Sequence, residues 1–189
     1  MQFTHDTEVA LLLAAALVNT RREDREHLPD AAALAAFLDA QEVSGARAGT
    51  AEELEAVRGL RRRLAAAWDA EQDDVVAIVN GLYTDAGALP RLARHDRWDW
   101  HLHLTSPDAP LVDRLGTEAA MGLGDLVRAR DLDRLKRCAA DDCRAVLVDL
   151  SRNRSRRYCD TGNCGNRIHV AAYRARKADE PSASPRGGS

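Results

Sequence analysis

All four cysteines of the chain fall into one repeated spacing, C-x4-C, fifteen residues, C-x4-C, at Cys138, Cys143, Cys159 and Cys164. Unrelated buried thiols have no reason to repeat a spacing. Zinc takes four soft ligands at the corners of a tetrahedron, each at about 2.3 Å, and a tight turn between two cysteines brings two sulfurs to one edge of it. "AADD" at 139–142 and "DTGN" at 160–163 are suitable turns, the second with Gly162 and Asn163 to accept a positive φ. Two disulfides use the same four residues, but a reducing compartment disfavours them. Four thiolates also accept iron, although nothing in the chain suggests electron transfer. The expectation is one Zn2+ per chain. Four cysteines leave no open position for water, so the ion is structural. Its binding stabilises a module of about forty residues that is too small to fold on its own core.

The segments around the pairs predict the shape of that module. "RAVLVDL" alternates Ala145 and Leu147 against Val146, Val148 and Leu150, the period of a strand. "SRNRS" reads as a loop and "RRYC" as a returning strand, so that a β-hairpin carries the chain from one cysteine pair to the next. After Cys164, "GNRIHVAAYRARKA" places Ile168, Ala171, Ala172 and Ala175 on one apolar arc about 100° wide, enough to seat a helix on the hairpin. The remaining face is basic and hydrogen-bonding. Knuckle, hairpin, knuckle and helix make a small α+β, treble-clef-like zinc finger.

Charge points to a partner for it. The net charge of the whole chain is only −3, yet residues 1–127 sum to −10, residues 128–177 to +8 and residues 178–189 to −1. A compact basic module on an acidic body suits nucleic acid. Arginine binds guanine and asparagine binds adenine through paired hydrogen bonds in the major groove. The candidate DNA contacts are Asn166, Arg167, His169, Arg174 and Lys177 on the helix, with Arg152, Arg154, Arg156 and Arg157 of the loop suited to phosphates. For Asn166 and Arg167 an equal alternative is bracing of the knuckle, Arg167 through Asp141 or Asp142. Asn153 shapes its turn, and Tyr158 packs under the knuckle.

The first 127 residues read as mainly helical with a short strand element. Helix one runs from about Asp6 to Arg22. Asp30 caps a second, and Thr50 with Glu53 forms a capping box on a third whose stripe is Leu54, Val57, Leu64 and Trp68. A fourth begins near Asp73 and stops about Gly87. "WDWHLHLTSP" at 98–107 alternates Trp98, Trp100, Leu102 and Leu104, a strand paired with 88–94 whose apolar side packs inward and whose His101 and His103 face solvent. Helix resumes from Asp108 and continues to Leu135, with a possible break at Gly122 and Gly124. Residues 178–189 form a small, polar, disordered tail. The apolar run "VALLLAAALV" is too short to span a bilayer and lacks the basic lead of a signal peptide, which implies a cytoplasmic protein.

"CAADDC" followed by "DLSRNRSRRYCDTGNCGNR" resembles the CGNR zinc finger, named for Cys164, Gly165, Asn166 and Arg167. The resemblance covers about residues 128–177, and "ALVNTR" at 16–21 resembles the ABATE domain that usually precedes this finger. It implies zinc on Cys138, Cys143, Cys159 and Cys164, and a stress-induced bacterial transcription regulator with an N-terminal sensing or dimerising domain. A homodimer and a small-molecule effector on residues 1–127 are the partners expected beside DNA. Tyr158 stands where the family often has Trp, and "IHVAAY" is more apolar than the helix start of many members.

The rival reading is a finger that binds protein or RNA without reading DNA sequence. Catalysis is not expected. His95, His101 and His103 with Asp96 and Asp99 suggest a metal or acid–base site, since H-x-H on a strand puts both rings on one side, but the constellation is generic. Trp98 and Trp100 are read as packing in preference to lining a ligand pocket.

Overall fold

The computed structural model describes residues 3–22, 25–94 and 100–179. The elements are α1 (His5–Val18), β1 (Arg21–Arg22), β2 (Arg25–Glu26), α2 (Ala31–Ala40), α3 (Ala51–Ala66), α4 (Gln72–Asp85), β3 (Arg91–Ala93), β4 (His101–His103), α5 (Leu111–Ala129), a 3-10 turn (Leu132–Arg134), β5 (Leu135–Arg137), β6 (Val146–Val148) and α6 (Cys164–Asp179). Three two-stranded antiparallel pairs, β1–β2, β3–β4 and β5–β6, accompany the helices. The mainly helical body and the small α+β finger expected from the sequence are both present. The expectations placed on His95, Asp96, Trp98, Asp99 and residues 180–189 of the tail lie outside the described residues, while Ala178 and Asp179, expected in the disordered tail, belong to α6.

Local chemistry sets several boundaries. The Asp30 carboxylate accepts from the Ala33 amide at 2.8 Å and starts α2, and the Thr50 hydroxyl accepts from the Glu53 amide at 3.2 Å and starts α3. Glu53 does not close the box on Thr50; its carboxylate takes the amides of Ala48 and Gly49 at 3.0 and 2.9 Å. Helix α4 ends at Asp85, and Gly87, just past its Ala86 cap, has a φ of +54 that suits glycine.

Helix α5 is the hub, packed on α1, α3 and α4. It does not break at its glycines, and Gly122 serves close approach: a Cβ there would stand 2.9 Å from Cγ of Leu11 on α1. Nor does helix reach Leu135. Arg130 adopts φ 57, ψ 40 and terminates α5, after which the chain turns into β5. Likewise α1 stops at Val18, and Arg21–Arg22 pair with Arg25–Glu26 as strands.

Strand β6 sits between two cores. Val146 and Val148 join the apolar core of the body, while Ala145 and Leu147 join a second cluster with the four cysteines, Ala140, Tyr158 and Ile168. This is the alternation read from "RAVLVDL". The hairpin partner differs from expectation, however. Strand β6 pairs with β5, Leu135 opposite Val148 and Arg137 opposite Val146, so the first cysteine pair forms the hairpin's own turn. The segment "RRYC" forms no strand; one backbone–backbone bond, from the Ala139 amide to the Arg157 carbonyl at 2.8 Å, ties it to the first knuckle, and side-chain acceptors take the Arg156 and Cys159 amides.

Strands β3 and β4 pair as expected, Leu92 opposite Leu102. Their facing does not follow the apolar alternation. Trp100 is 62% exposed with the Arg94 guanidinium over its ring at 5.3 Å, and Leu102 is 40% exposed; of the described three, Leu104 alone is buried. His101 and His103 are half-buried over a cavity instead. A two-stranded ribbon shields one side only, and imidazoles that line an open cavity keep their polar tips hydrated at little cost.

Candidate metal centre

The finger's two knuckles bring the four sulfurs together. All four donor atoms lie within 4.8 Å of one another and all four cysteines are buried. The Cys143–Cys159 and Cys159–Cys164 sulfur pairs are each 3.7 Å apart. A disulfide needs about 2.05 Å. Four sulfurs at 2.3 Å from a common centre stand about 3.8 Å apart along each tetrahedral edge, so the spacing is that of ligands and not of bonded pairs.

The surroundings fit a cation. The Cys159 amide donates to Sγ of Cys138 at 3.4 Å, and a guanidinium N–H of Arg167 donates to Sγ of Cys164 at 3.3 Å. Such donors accept the negative charge of bound thiolates and orient them. Burial, with the crowding of the other three sulfurs, pushes the Cys159 thiol up to about 12, a cost that a divalent ion removes by binding the deprotonated form. Gly162 leaves the necessary room: a Cβ there would stand 2.8 Å from Sγ of Cys164. Its role is close approach; the positive φ of this turn belongs to Asn163, at 47. One structural zinc fits the four-cysteine set.

Arg167 is committed to this centre. It makes a two-pronged ion pair with Asp142 at 2.7 and 2.9 Å, closing α6 onto the first knuckle. Asn166 is exposed beside it, and Tyr158 packs on the cysteine cluster with its ring 3.5 Å from where a Cβ on Gly165 would be.

The loop arginines divide by partner. Arg154 takes a left-handed φ of 53 and pairs with Asp131 at 2.6 Å and Asp133 at 2.7 Å. Arg156 pairs with Asp160, and Arg157 lies over the Tyr158 ring at 5.9 Å. Arg152 is exposed and makes no ion pair among the described residues. Asn153 accepts from the Ser155 hydroxyl at 2.8 Å inside the turn.

Helix α6 stands away from the rest. Ile168 touches the cysteine cluster, but every residue from His169 to Lys177 is exposed, including Ala171, Ala172 and Ala175 of the arc expected to seat it. The cause is length. Three-residue strands span about 10 Å, while sixteen helical residues span about 24 Å, so α6 outruns the hairpin after its first turn. His169, Arg174 and Lys177 therefore project into solvent together with Val170 and Tyr173, which are 38% and 59% exposed.

Sequence pattern alone did not reveal how the finger is docked. The side-chain amide of Asn19 bonds both backbone groups of Val146, the Trp68 indole donates to the Leu147 carbonyl at 3.0 Å, and Arg137 pairs with Asp69, its Nε at 2.7 Å. Asp149, wholly buried, accepts from Lys136 at 2.6 Å and from the Arg156 amide at 2.9 Å, joining β5, β6 and the loop. A polar residue closing an apolar helix was the one available signal for Asn19.

Residues 134–177 match the family model of the CGNR zinc finger, and residues 12–141 match that of ABATE, described as "Putative stress-induced transcription regulator". The two matches overlap on β5 and the first cysteine. No curated protein matches the chain. Because the second match spans more than half of the sequence and the first encloses all four cysteines, the chain belongs to the ABATE family and carries a CGNR zinc finger.

Proposed function

We propose that the protein is a DNA-binding transcription regulator in which zinc fixes the base of α6 and the helix engages the duplex. The observation that carries this reading is the exposure of α6 on all sides from His169 to Lys177, with the basic residues Arg174, Arg176 and Lys177 unopposed by any ion pair among the described residues. A helix of this length with no packed face is marginal in water, and a polyanion supplies the missing partner. Arg152 lies on the same basic module and adds a phosphate contact. Arg154, Arg156 and Arg167, already paired with carboxylates, act by holding the finger's shape. Residues 1–127 serve as the regulatory or dimerising body and 128–177 as the reader, without catalysis, in the cytoplasm.

Fluorescence anisotropy with genomic DNA fragments at two salt concentrations tests this. Phosphate-dominated binding falls steeply as salt rises. Zinc-loaded protein that shows no affinity for any fragment at low salt would end the proposal.

Val170 and Tyr173 favour a second reading, since their exposed apolar surface on the same helix suits a protein groove or a stacked RNA base. Stable capture of RNA or a protein partner by chain that ignores duplex DNA selects it. Among the described residues no helix is long and apolar enough to cross a membrane, so neither reading invokes a bilayer.

A further inference from the structure

We propose that His101 and His103 form a second metal site, independent of the cysteines, that takes a divalent transition ion of the zinc, nickel or copper type. The first ground is convergence. Same-side residues on a strand are about 6.6 Å apart at their Cα atoms. The two ring centroids are 4.7 Å apart, and the two Nε2 atoms only 3.0 Å. The rings thus lean together until their tips nearly share a point. Two nitrogens bound to one ion at about 2.0–2.1 Å are separated by about 2.9 Å at a right angle and about 3.4 Å at the tetrahedral angle. The observed separation falls at the lower end of that range.

The second ground is where the tips converge. His101 and His103 line a cavity of about 600 Å³, bounded by α1, the 41–45 segment, the 105–107 turn and α5. Further oxygen and nitrogen donors line the same cavity from separate elements: His5 and Asp6 of α1, and Glu118 of α5. Imidazole with carboxylate is the donor set of borderline ions, whereas magnesium and calcium prefer oxygen alone. Among the described residues only the cysteines already gather three or more donors within 4.8 Å. The histidine pair is therefore a two-ligand clasp that Glu118 or His5 completes by side-chain rotation on binding. In the structure the two Nε2 atoms share a hydrogen bond. Metal binding replaces it, the proton of the donating ring moving to Nδ1 so that both Nε2 lone pairs face the ion.

The test uses full-length protein with zinc already in the cysteine site. Titration with Ni2+, followed by removal of loose metal and elemental counting, is expected to give two ions per chain, one zinc and one nickel. The double variant His101→Gln/His103→Gln is expected to keep the zinc and lose the nickel, and Glu118→Gln to weaken nickel binding at least about tenfold, as losing even an outer-shell partner can. Retained zinc shows that the finger of the double variant is intact, and an unchanged circular dichroism spectrum and melting temperature show that the body is folded. Nuclear magnetic resonance of the wild-type imidazole nitrogens with Zn2+ as the added ion gives a readout without mutation: both Nε2 signals shift on binding. Protein that takes up no second ion at micromolar metal, or a double variant that still binds it, overturns the proposal. The experiment is blind to DNA, so its failure leaves the reading of α6 standing.

Discussion

Asn19 clasps Val146 by both ends of its amide: Nδ2 donates to the Val146 carbonyl at 2.8 Å, and Oδ1 accepts from the Val146 N–H at 2.8 Å. It behaves as a third strand one residue wide. The residue that caps α1 thereby continues the β5–β6 ladder, and at this point the body recognises the finger through the backbone groups of Val146.

Asn19→Ala removes both bonds and leaves the amide and carbonyl of a residue that is 2% exposed without partners. Each such group costs about 1–3 kcal/mol, so a loss of at least about 2 kcal/mol in urea denaturation is expected. Asn19→Asp, which cannot donate and sets a carboxylate oxygen against the Val146 carbonyl in a buried site, should lose at least as much at neutral pH. Equal stability of all three proteins would show that the clasp contributes nothing.

These features differ in how readable they are from sequence. Metal ligation requires particular atoms at particular spacings, so Cys138, Cys143, Cys159 and Cys164 stand out without any fold. Caps are local, which is why Asp30 and Thr50 announce their helices. The two faces of β6 are legible because both are buried in cores. Strand β5, by contrast, is "LKR", with no alternation, and its pairing is dictated by the knuckle that follows. The β3–β4 ribbon misleads for a related reason: with one side open to solvent, Trp100 and Leu102 lie outward and the histidines lie over the cavity. The Asn19–Val146 pair spans more than a hundred residues of chain, and no local pattern encodes a partner that distant.

Removing zinc should be visible from inside the body. Trp68 is 7% exposed and its indole bonds the Leu147 carbonyl, on the strand that the cysteine cluster holds. In a Trp98→Phe/Trp100→Phe background, which leaves Trp68 as the one tryptophan, a strong chelator is expected to red-shift the Trp68 emission and lower the melting temperature, with both effects reversed by added Zn2+. An unchanged emission after verified metal loss would mean that the finger's packing does not depend on the ion.

Arg167 touches both a ligand sulfur and Asp142, so its removal should act on the metal first. Arg167→Ala is expected to speed zinc transfer to a competing chelator by about 10–100-fold, the scale on which outer-shell partners act. Arg167→Lys keeps the charge but loses the planar fork and should fall between. Zinc retention unaltered in both variants, with DNA affinity lost, would reassign Arg167 to base contact.

Acid sensitivity follows from two carboxylates. Burial alone would push the Asp149 carboxyl up, but Lys136 and the Ser151 hydroxyl and amide outweigh it and hold the group at about 2, below its ordinary 3.8. Arg61 likewise holds Glu26 at about 2. With folded values depressed, the stabilisation is complete above the ordinary carboxylate range and is lost as pH falls through about 4 towards 2. For Asp149 it amounts to about 2 kcal/mol. Asp149→Asn should be less stable at neutral pH and show a shallower decline below pH 4, read by denaturant midpoints across that window. Parallel curves for the two proteins would assign acid unfolding to other groups.

The loop arginines separate shape from recognition. Arg152 is exposed with no ion pair among the described residues, whereas Arg154, two residues on, is tied to Asp131 and Asp133 and sits at a positive φ. If α6 and this loop bind DNA, each phosphate neutralised contributes about 0.9 to the slope of log affinity against log salt. Arg152→Ala should therefore flatten that slope by about 0.9 and leave the melting temperature unchanged. Arg154→Ala should do the reverse: it frees the buried Asp131 carboxylate of one partner while Arg134 still holds it at 2.8 Å, so stability falls modestly and the slope holds. Arg174→Ala on α6 should match Arg152→Ala in salt dependence. A slope that drops for Arg154 but not for Arg152 or Arg174 would place the binding surface elsewhere on the finger.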